Sequence, residues 1–292
     1  FDTEYTPLSE EDILGKTLIA MRDDLASYER EMEAKVEERT EVLKRQTDQL
    51  EAQGEEIRKL YTDLTSSIDY ARRIQGAILP SDTLRKGVFD RQFVLHMPRD
   101  GVSGDFPWFH KLDAWRLMAA VDCTGHGVPG AFMSLLGHNA LQHIGKVYTQ
   151  PGKILDRLNE MARNVLHRGE DSSLEAKDQV PDGMDLGLVS INLEQRKMEF
   201  AGANAPAYLV RNGEVTELKP DKRAIASFEP GEFRFNTQVV SLEDGDMVYC
   251  ASDGYPDQFG GPRGRKFMRK RFRGLLAELS ALPVERQDEE LR

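Results

Sequence analysis

Cysteine is nearly absent. Cys123 and Cys250 are the only two in 292 residues, too few for a disulfide framework or a Cys-based zinc site, and both lie in apolar runs. The simplest compartment for such a chain is the reducing cytosol. Long apolar runs are missing too: nothing approaches the roughly 20 uninterrupted apolar residues of a membrane span. Phe1-Asp2-Thr3-Glu4 has none of the basic-then-apolar character of a signal peptide. There is no excess of positive charge, since 39 Lys+Arg stand against 50 Asp+Glu for a net charge of −11. That balance argues against a nucleic-acid partner, which calls for a Lys/Arg surplus to neutralise phosphates. No P-loop run is present. What remains is a chain long enough for more than one folded unit.

Proline is absent from Glu11 to Leu79, and only three glycines interrupt that stretch, Gly15, Gly54 and Gly76. Dense Glu, Lys, Arg, Gln and Leu make it the composition of a long helix. Residues 1–79 carry a net charge of −8, leaving −3 for the other 213. Apolar or neutral positions step by threes and fours through Leu43, Gln46, Leu50, Gln53, Ile57, Leu60, Leu64, Ser67, Ala71, Ile74 and Ile78, a heptad seam. Upstream, the steps of four at Tyr28, Met32 and Val36 are a stutter that locally unwinds a left-handed supercoil. A rod of this kind, about 100 Å long at ~1.5 Å per residue, has its seam to bury against a second copy, so a parallel homodimer is expected. It is either a stable dimerisation rod or a marginal one that relays a signal through its winding.

Leu8-Ser9-Glu10-Glu11-Asp12-Ile13-Leu14-Gly15-Lys16, followed by Leu18, Met21 and Leu25, resembles the start of the second helix of a HAMP domain, the membrane-adjacent relay of bacterial receptors. Ser9 with Asp12 is also an ordinary helix N-cap with an acidic first turn. The expected division is a HAMP-like remnant over 1–15, a coiled-coil signalling helix over 16–79 and a catalytic domain over 80–292. On the HAMP resemblance, this chain would be the cytoplasmic portion of an inner-membrane-anchored parent.

Pro80 ends the helix. Beyond it, strands are predicted at 93–97, 117–121, 186–193, 198–202, 207–210, 214–218 and 247–251, with Asn212-Gly213 as a hairpin turn. Helices are predicted at 68–79, 128–147, 151–167 and 266–280, with an acidic helical tail over 285–292. Antiparallel pairs beside helix pairs read as an α+β layered domain.

Carboxylates fall at the ends of these runs. Asp122 follows Leu117-Met118-Ala119-Ala120-Val121, Asp253 comes two residues after Ala251, and Asp105 sits in Val102-Ser103-Gly104-Asp105. Small neighbours, Gly104, Gly125, Gly127 and Gly254, let backbone and ligand approach closely. Each Asp taken singly is a common turn former. Three in such settings, with no His/Cys ligand set, suit hard divalent cations, Mg²⁺ or Mn²⁺. Two such ions would activate water against a phosphoryl group with no protein nucleophile. Cys123 is a poor nucleophile: it lacks a Cys-x5-Arg phosphate loop, and Asp122 beside it raises a thiol pKa. His126 is either a general acid or a turn histidine.

Several ordered segments carry a resemblance: Ser67-Ile68-Asp69-Tyr70-Ala71-Arg72-Arg73-Ile74-Gln75-Gly76-Ala77-Ile78-Leu79-Pro80, Val102-Ser103-Gly104-Asp105-Phe106, Ala120-Val121-Asp122-Cys123-Thr124-Gly125-His126-Gly127-Val128-Pro129-Gly130, Asp182-Gly183-Met184-Asp185, Phe200-Ala201-Gly202-Ala203-Asn204-Ala205-Pro206 and Ala251-Ser252-Asp253-Gly254-Tyr255-Pro256-Asp257. Over residues 67–285 the chain closely resembles the SpoIIE/RsbU-type PP2C (PPM) serine/threonine phosphatases. The resemblance implies an αββα sandwich of two antiparallel sheets and a dinuclear Mn²⁺ or Mg²⁺ centre. Asp105, Asp122, the Cys123 carbonyl and Asp253 would hold the metals, with the three aspartates as catalytic residues. The implied substrate is a phosphorylated STAS-type anti-anti-sigma protein. Asn204 stands roughly where eukaryotic relatives have a third-metal Asp, so a third ion is not implied. Asp185 is either an outer partner of the site or a turn residue; for Asp182 the turn is favoured.

Family members end in a strand with an Asp-Asp ligand, and this chain stops at Leu291-Arg292 before one, so one ion is expected to bind weakly. That keeps a second reading open, a catalytically silent dimeric scaffold that binds a phosphoprotein; a metal-dependent nuclease is disfavoured by the acidic surface. The resemblance also implies that the helices at 128–147 act as a switch on the metal loop; a hypothesis built on it is that repacking of Ile74 and Ile78 against these helices would move Asp122 and Cys123. The run Arg263 to Arg273 holds seven cations in 11 residues. It reads as a solvated face, or as a docking surface for an acidic protein or a membrane.

Overall fold

A computed structural model of the chain describes residues 10–98, 101–166, 183–227, 233–260, 262 and 264–292. Most of the HAMP-like stretch, Asp182 and Arg263 lie outside them. The chain divides into two compact units, Phe1–Ser66 and Ser67–Arg292.

The first unit is helical throughout its described length. Helix α1 runs Glu10–Ile78, 69 residues without a break, and its last turns belong to the second unit. Ion pairs at i,i+4, Glu31–Lys35 (2.6 Å) and Glu41–Arg45 (2.7 Å), place the acid N-terminal to the base, the favourable order. The predicted seam is open: Leu50 and Ile57 are 67% and 66% exposed. No helix among the described residues is long and apolar enough to cross a membrane.

The second unit is layered. Strands β1 (Phe106–Leu112), β2 (Trp115–Cys123), β3 (Met184–Asn192), β4 (Lys197–Ala203) and β7 (Gln238–Ser241) form one antiparallel sheet in the order β1-β2-β3-β4-β7. Strands β5 (Ala207–Arg211), β6 (Glu214–Leu218) and β8 (Met247–Cys250) form a second, in the order β6-β5-β8. Side-chain alternation assigns each face. On the larger sheet Leu117, Ala119, Val121, Leu186 and Leu188 pack with α3 (Gly127–Gly145) and α4 (Pro151–Leu166). The opposite face sends Val189, Ile191, Met198 and Phe200 against Ala207, Leu209 and Leu218 of the smaller sheet. The smaller sheet's outer face, Tyr208, Val210 and Tyr249, meets Phe272 and Leu276 of α5 (Arg269–Leu279). The order of layers is therefore helices, sheet, sheet, helix.

Asn212-Gly213 forms the predicted hairpin turn, with φ of +52° and +79° between the paired Arg211 and Glu214. Residues 93–97, expected as a strand, form no strand. Two edge strands escaped the reading. In β1, Pro107 and the polar His110-Lys111 hide the pattern, and an edge strand tolerates the missing proline N–H. In β7 only every second residue is partly covered. The short helix α2 (Asp82–Val88) was also missed; its N-cap Ser81 accepts from the Leu84 N–H. At the basic run the helix starts at Arg269 rather than 266, because Arg265–Lys266 (β10) pairs with Phe259–Gly260 (β9). The acidic tail is helix α6 (Val284–Leu291). It is docked through Gln287, fully buried, which accepts from the Tyr249 hydroxyl at 2.8 Å.

Candidate metal centre

Antiparallel pairing brings the predicted carboxylates to one end of the sandwich. Phe106 pairs with Val121, so Asp105, the residue before β1, falls beside Asp122 near the end of β2. Asp122 pairs directly with Asp185 at the start of β3. Leu186 pairs with Ala203, which places Asn204 next to Asp185, and the Asn204 side-chain amide donates to Asp185 Oδ1 at 2.9 Å. From the second sheet, Cys250 pairs with Ala207 at the end of β8, and the chain continues into Ser252 and Asp253. The Ser252 hydroxyl donates to Asp105 Oδ2 at 2.8 Å, tying the two sheets' contributions together. Asp122, Asp185, Asn204, Ser252, Asp253 and Arg269 line one cleft.

Crowding of carboxylates governs the electrostatics. Burial, then the neighbouring Asp105, Asp253 and Asp185, pushes the Asp122 carboxyl up to about 8. Asp185 is raised by burial and by Asp253, partly offset by the Asn204 hydrogen bond. His96 Nε2 lies 3.1 Å from the Asp105 carbonyl oxygen, and burial lowers the pKa of that imidazole.

Strand alternation separates Cys123 from Asp122. The Cys123 side chain is buried in the core beneath α3 and α4, and burial, with Asp122 and Asp105 adding, holds its thiol well above the usual range. A thiolate nucleophile is thereby removed. Its carbonyl oxygen faces Gly104, where a Cβ would come within 2.8 Å, and a Cβ on Gly130 would come within 2.5 Å of the Gly125 oxygen. Thr124 Oγ1 donates to the Gly183 oxygen and accepts from the Gly183 N–H, both at 3.1 Å, clamping the same turn to β3. His126 is the exposed N-cap residue of α3 and does not line the cleft. Gly125-His126-Gly127-Val128-Pro129-Gly130 also has the G-x-G-x-x-G spacing of dinucleotide sites. Here β2 is antiparallel to both neighbours, so the parallel βαβ unit of such sites is absent.

The end of α1 reaches this region through a residue the seam did not single out. Gln75 is 5% exposed; its amide donates to the Ser103 oxygen (2.6 Å) and Ser134 Oγ (2.7 Å) and accepts from the Ser103 N–H (3.1 Å). Ser103 Oγ in turn accepts from the Asp105 N–H at 3.0 Å. Ile74 and Ile78, the expected contact residues, are 41% and 44% exposed. The polar link runs through Gln75, while Leu79, just past the helix end, packs against the core under α3 and α4.

Among the described residues no three His, Cys, Asp or Glu side chains converge as a ready metal cage. A hard divalent cation does not need one, since it keeps several waters and takes one or two carboxylates. The oxygen-only donor set and the raised Asp122 pKa fit such an ion, which would relieve the mutual repulsion of these carboxylates.

The SpoIIE family model (Stage II sporulation protein E) matches residues 114–292. The chain belongs to the SpoIIE family. It carries that family's PP2C-type phosphatase domain, and the layered fold is the expected one. The SiaA-PP2C domain of Pseudomonas aeruginosa is 35% identical, with a TM-score of 0.68 over 79% of this chain and 88% of that one. The RsbU and RsbW domains of Rv1364c from Mycobacterium tuberculosis share 16% identity, with a TM-score of 0.53 over 68% of this chain and 52% of theirs. The PP2C domain and regulatory fragment of SpoIIE from Bacillus subtilis shares 20%, with a TM-score of 0.51 over 68% of this chain and 56% of that one. The last two likenesses speak to the fold alone. No curated protein sequence gives a match.

Proposed function

We propose that this SpoIIE-family domain is a metal-dependent serine/threonine phosphoprotein phosphatase. The observation that carries the reading is the meeting of Asp105, Asp122 and Asp253 from three separate strand ends, with the Cys123 carbonyl beside them. These four groups would hold two Mn²⁺ or Mg²⁺ ions. Bound there, such ions supply a lowered water pKa and neutralise charge on the phosphoryl oxygens. The chain's own residues do the rest. The Ser252 hydroxyl holds Asp105, and Asn204 holds Asp185, so each carboxylate has a fixed orientation before substrate arrives. The buried Cys123 thiol leaves no covalent route through sulfur.

The substrate in this reading is a phosphorylated STAS-type anti-anti-sigma regulator, as membership of the SpoIIE family suggests. The open seam of α1 supports a homodimer formed through residues 16–79; a HAMP-like remnant over 1–15 and a membrane-anchored parent rest on the sequence resemblance of Leu8 to Lys16. The phosphatase domain in this division covers 80–292.

The test is hydrolysis of p-nitrophenyl phosphate and of a phosphothreonine peptide with Mn²⁺. The expected result is turnover that EDTA removes and that Asp122→Ala and Asp253→Ala abolish. Binding of the phosphopeptide without turnover, by a chain loaded with Mn²⁺, would point instead to a silent scaffold.

A further inference from the structure

The run of cations from Arg265 to Arg273 is not one uniform solvated face. Lys266 is paired with Asp257 (2.8 Å) and Arg273 with Glu217 (3.0 Å). Arg265, Arg269, Lys270 and Arg271 make no ion pair among the described residues, though Arg271 lies over the Phe267 ring at 5.4 Å. Of these four, Arg269 lines the carboxylate cleft, on the same wall as Pro256 and Phe272.

Its position is held. The Met268 N–H donates to the Pro256 oxygen (2.7 Å) and the Phe267 N–H to the Gln258 oxygen (2.8 Å), joining the start of α5 to the turn that follows Asp253. Tyr255 of that turn packs its ring against Phe267 (5.4 Å between centroids) and Phe272 (5.3 Å). Met268 itself adopts φ +74°, a conformation that L side chains rarely take and that this double tie maintains. These ties fix the backbone at the start of α5 against the turn that follows Asp253. A phosphomonoester entering the carboxylate cleft brings phosphoryl oxygens beyond those an ion on the carboxylates would take, and a guanidinium there offers the planar fork that matches them. Beyond the lip, Lys270 and Arg271 are exposed on the same helix start, in a segment, residues 80–292, whose net charge is −3.

We propose that Arg269 receives the phosphoryl group of the substrate and that Lys270 and Arg271 receive acidic residues flanking it. The substrate class is thus a phosphorylated acidic protein segment. This rests on the phosphatase reading above. A lipid surface fits less well, because the inner cation lies in a concave cleft beside the reaction site and not on a flat face.

The experiment measures KM and kcat of the full chain with Mn²⁺ on two phosphothreonine peptides, one with Asp/Glu flanks and one with neutral flanks. Wild type is expected to favour the acidic peptide through KM. Arg269→Ala should raise KM for both peptides by about tenfold to a hundredfold, and Arg269→Lys should recover part of that loss. The double change Lys270→Glu/Arg271→Glu should raise KM for the acidic peptide by about tenfold and for the neutral one by less. Lys111→Glu, an exposed cation on β1, serves as the control and leaves both KM values unchanged. Wild-type turnover with KM unmoved by Arg269→Ala would overturn the proposal and leave the phosphatase reading standing. Sedimentation with anionic vesicles that the double change abolishes, with peptide KM unmoved, would overturn it in favour of a membrane. A wild type that turns over neither peptide overturns the phosphatase reading, and this proposal with it.

Discussion

Asp122 sits among three other carboxylates, and burial first, then those neighbours, push its carboxyl up to about 8. Orientation of these groups depends on modest neighbours. Ser252 supplies one hydroxyl to Asp105 Oδ2 and so joins the β8 side of the cleft to the β1 side. Ser252→Ala is expected to weaken Mn²⁺ affinity by roughly tenfold to a hundredfold, with the fold intact, as read by isothermal calorimetry and circular dichroism. Ser252 was visible in the Ala251-Ser252-Asp253-Gly254 motif, but only as a spacer. Its role needed Asp105, 147 residues away in the chain, to be brought to it. Asp185 and Asn204 were equally present on the page; their contact depends on the register of β3 against β4, which periodicity does not specify. Arg269 was hidden in a run of like residues, where charge alone separates none of them.

Elements show the same division. The helix α1 could be read from the absence of proline and the stepping of its seam, because both depend on local propensity and period. The last turn of that helix could not, since Gln75 is buried by partners from 103 and 134. Gln75→Ala leaves the Ser103 N–H and Ser134 Oγ without this partner and should cost about 1–3 kcal/mol in urea unfolding of the domain. A second prediction concerns the β5–β8 side of the smaller sheet. Arg211 grips Asp246 with two hydrogen bonds, Nε to Oδ1 at 2.8 Å and Nη2 to Oδ2 at 2.7 Å, and the Glu243 N–H adds a third. The Arg211 bond, more than any other cause, holds the Asp246 carboxyl below its ordinary range. A depressed folded pKa contributes stability that is complete above the unfolded value, about 3.9, and is lost as pH falls through the folded one. Thermal melts of Asp246→Asn should therefore show a shallower loss of stability below pH ~4 than the wild type.

At the scale of the whole molecule, the open seam asks for a partner. A helix of 69 residues whose Leu50 and Ile57 stand two-thirds exposed gains most by pairing with a copy of itself. Sedimentation of the full chain is expected to show a dimer, and Leu50→Lys/Ile57→Lys to shift it toward monomer at equal concentration. A monomer at high micromolar concentration in the wild type would remove the homodimer from the account. The layered domain was legible as a class because α+β patterning is local, whereas edge strands β1 and β7 were not, since an edge buries too little to leave a clear alternation.

Residue order alone was sufficient for the long helix, the α+β class and the family, because each of these rests on local period, composition or contiguous motif. Only the folded chain could show Ser252 against Asp105, Asn204 against Asp185, Gln75 bonded to Ser103 and Ser134, and Arg269 in the cleft that Asp253 also lines. Each of those joins residues distant in sequence, and strand register and sheet stacking, which set the distances, are properties of the assembled sandwich.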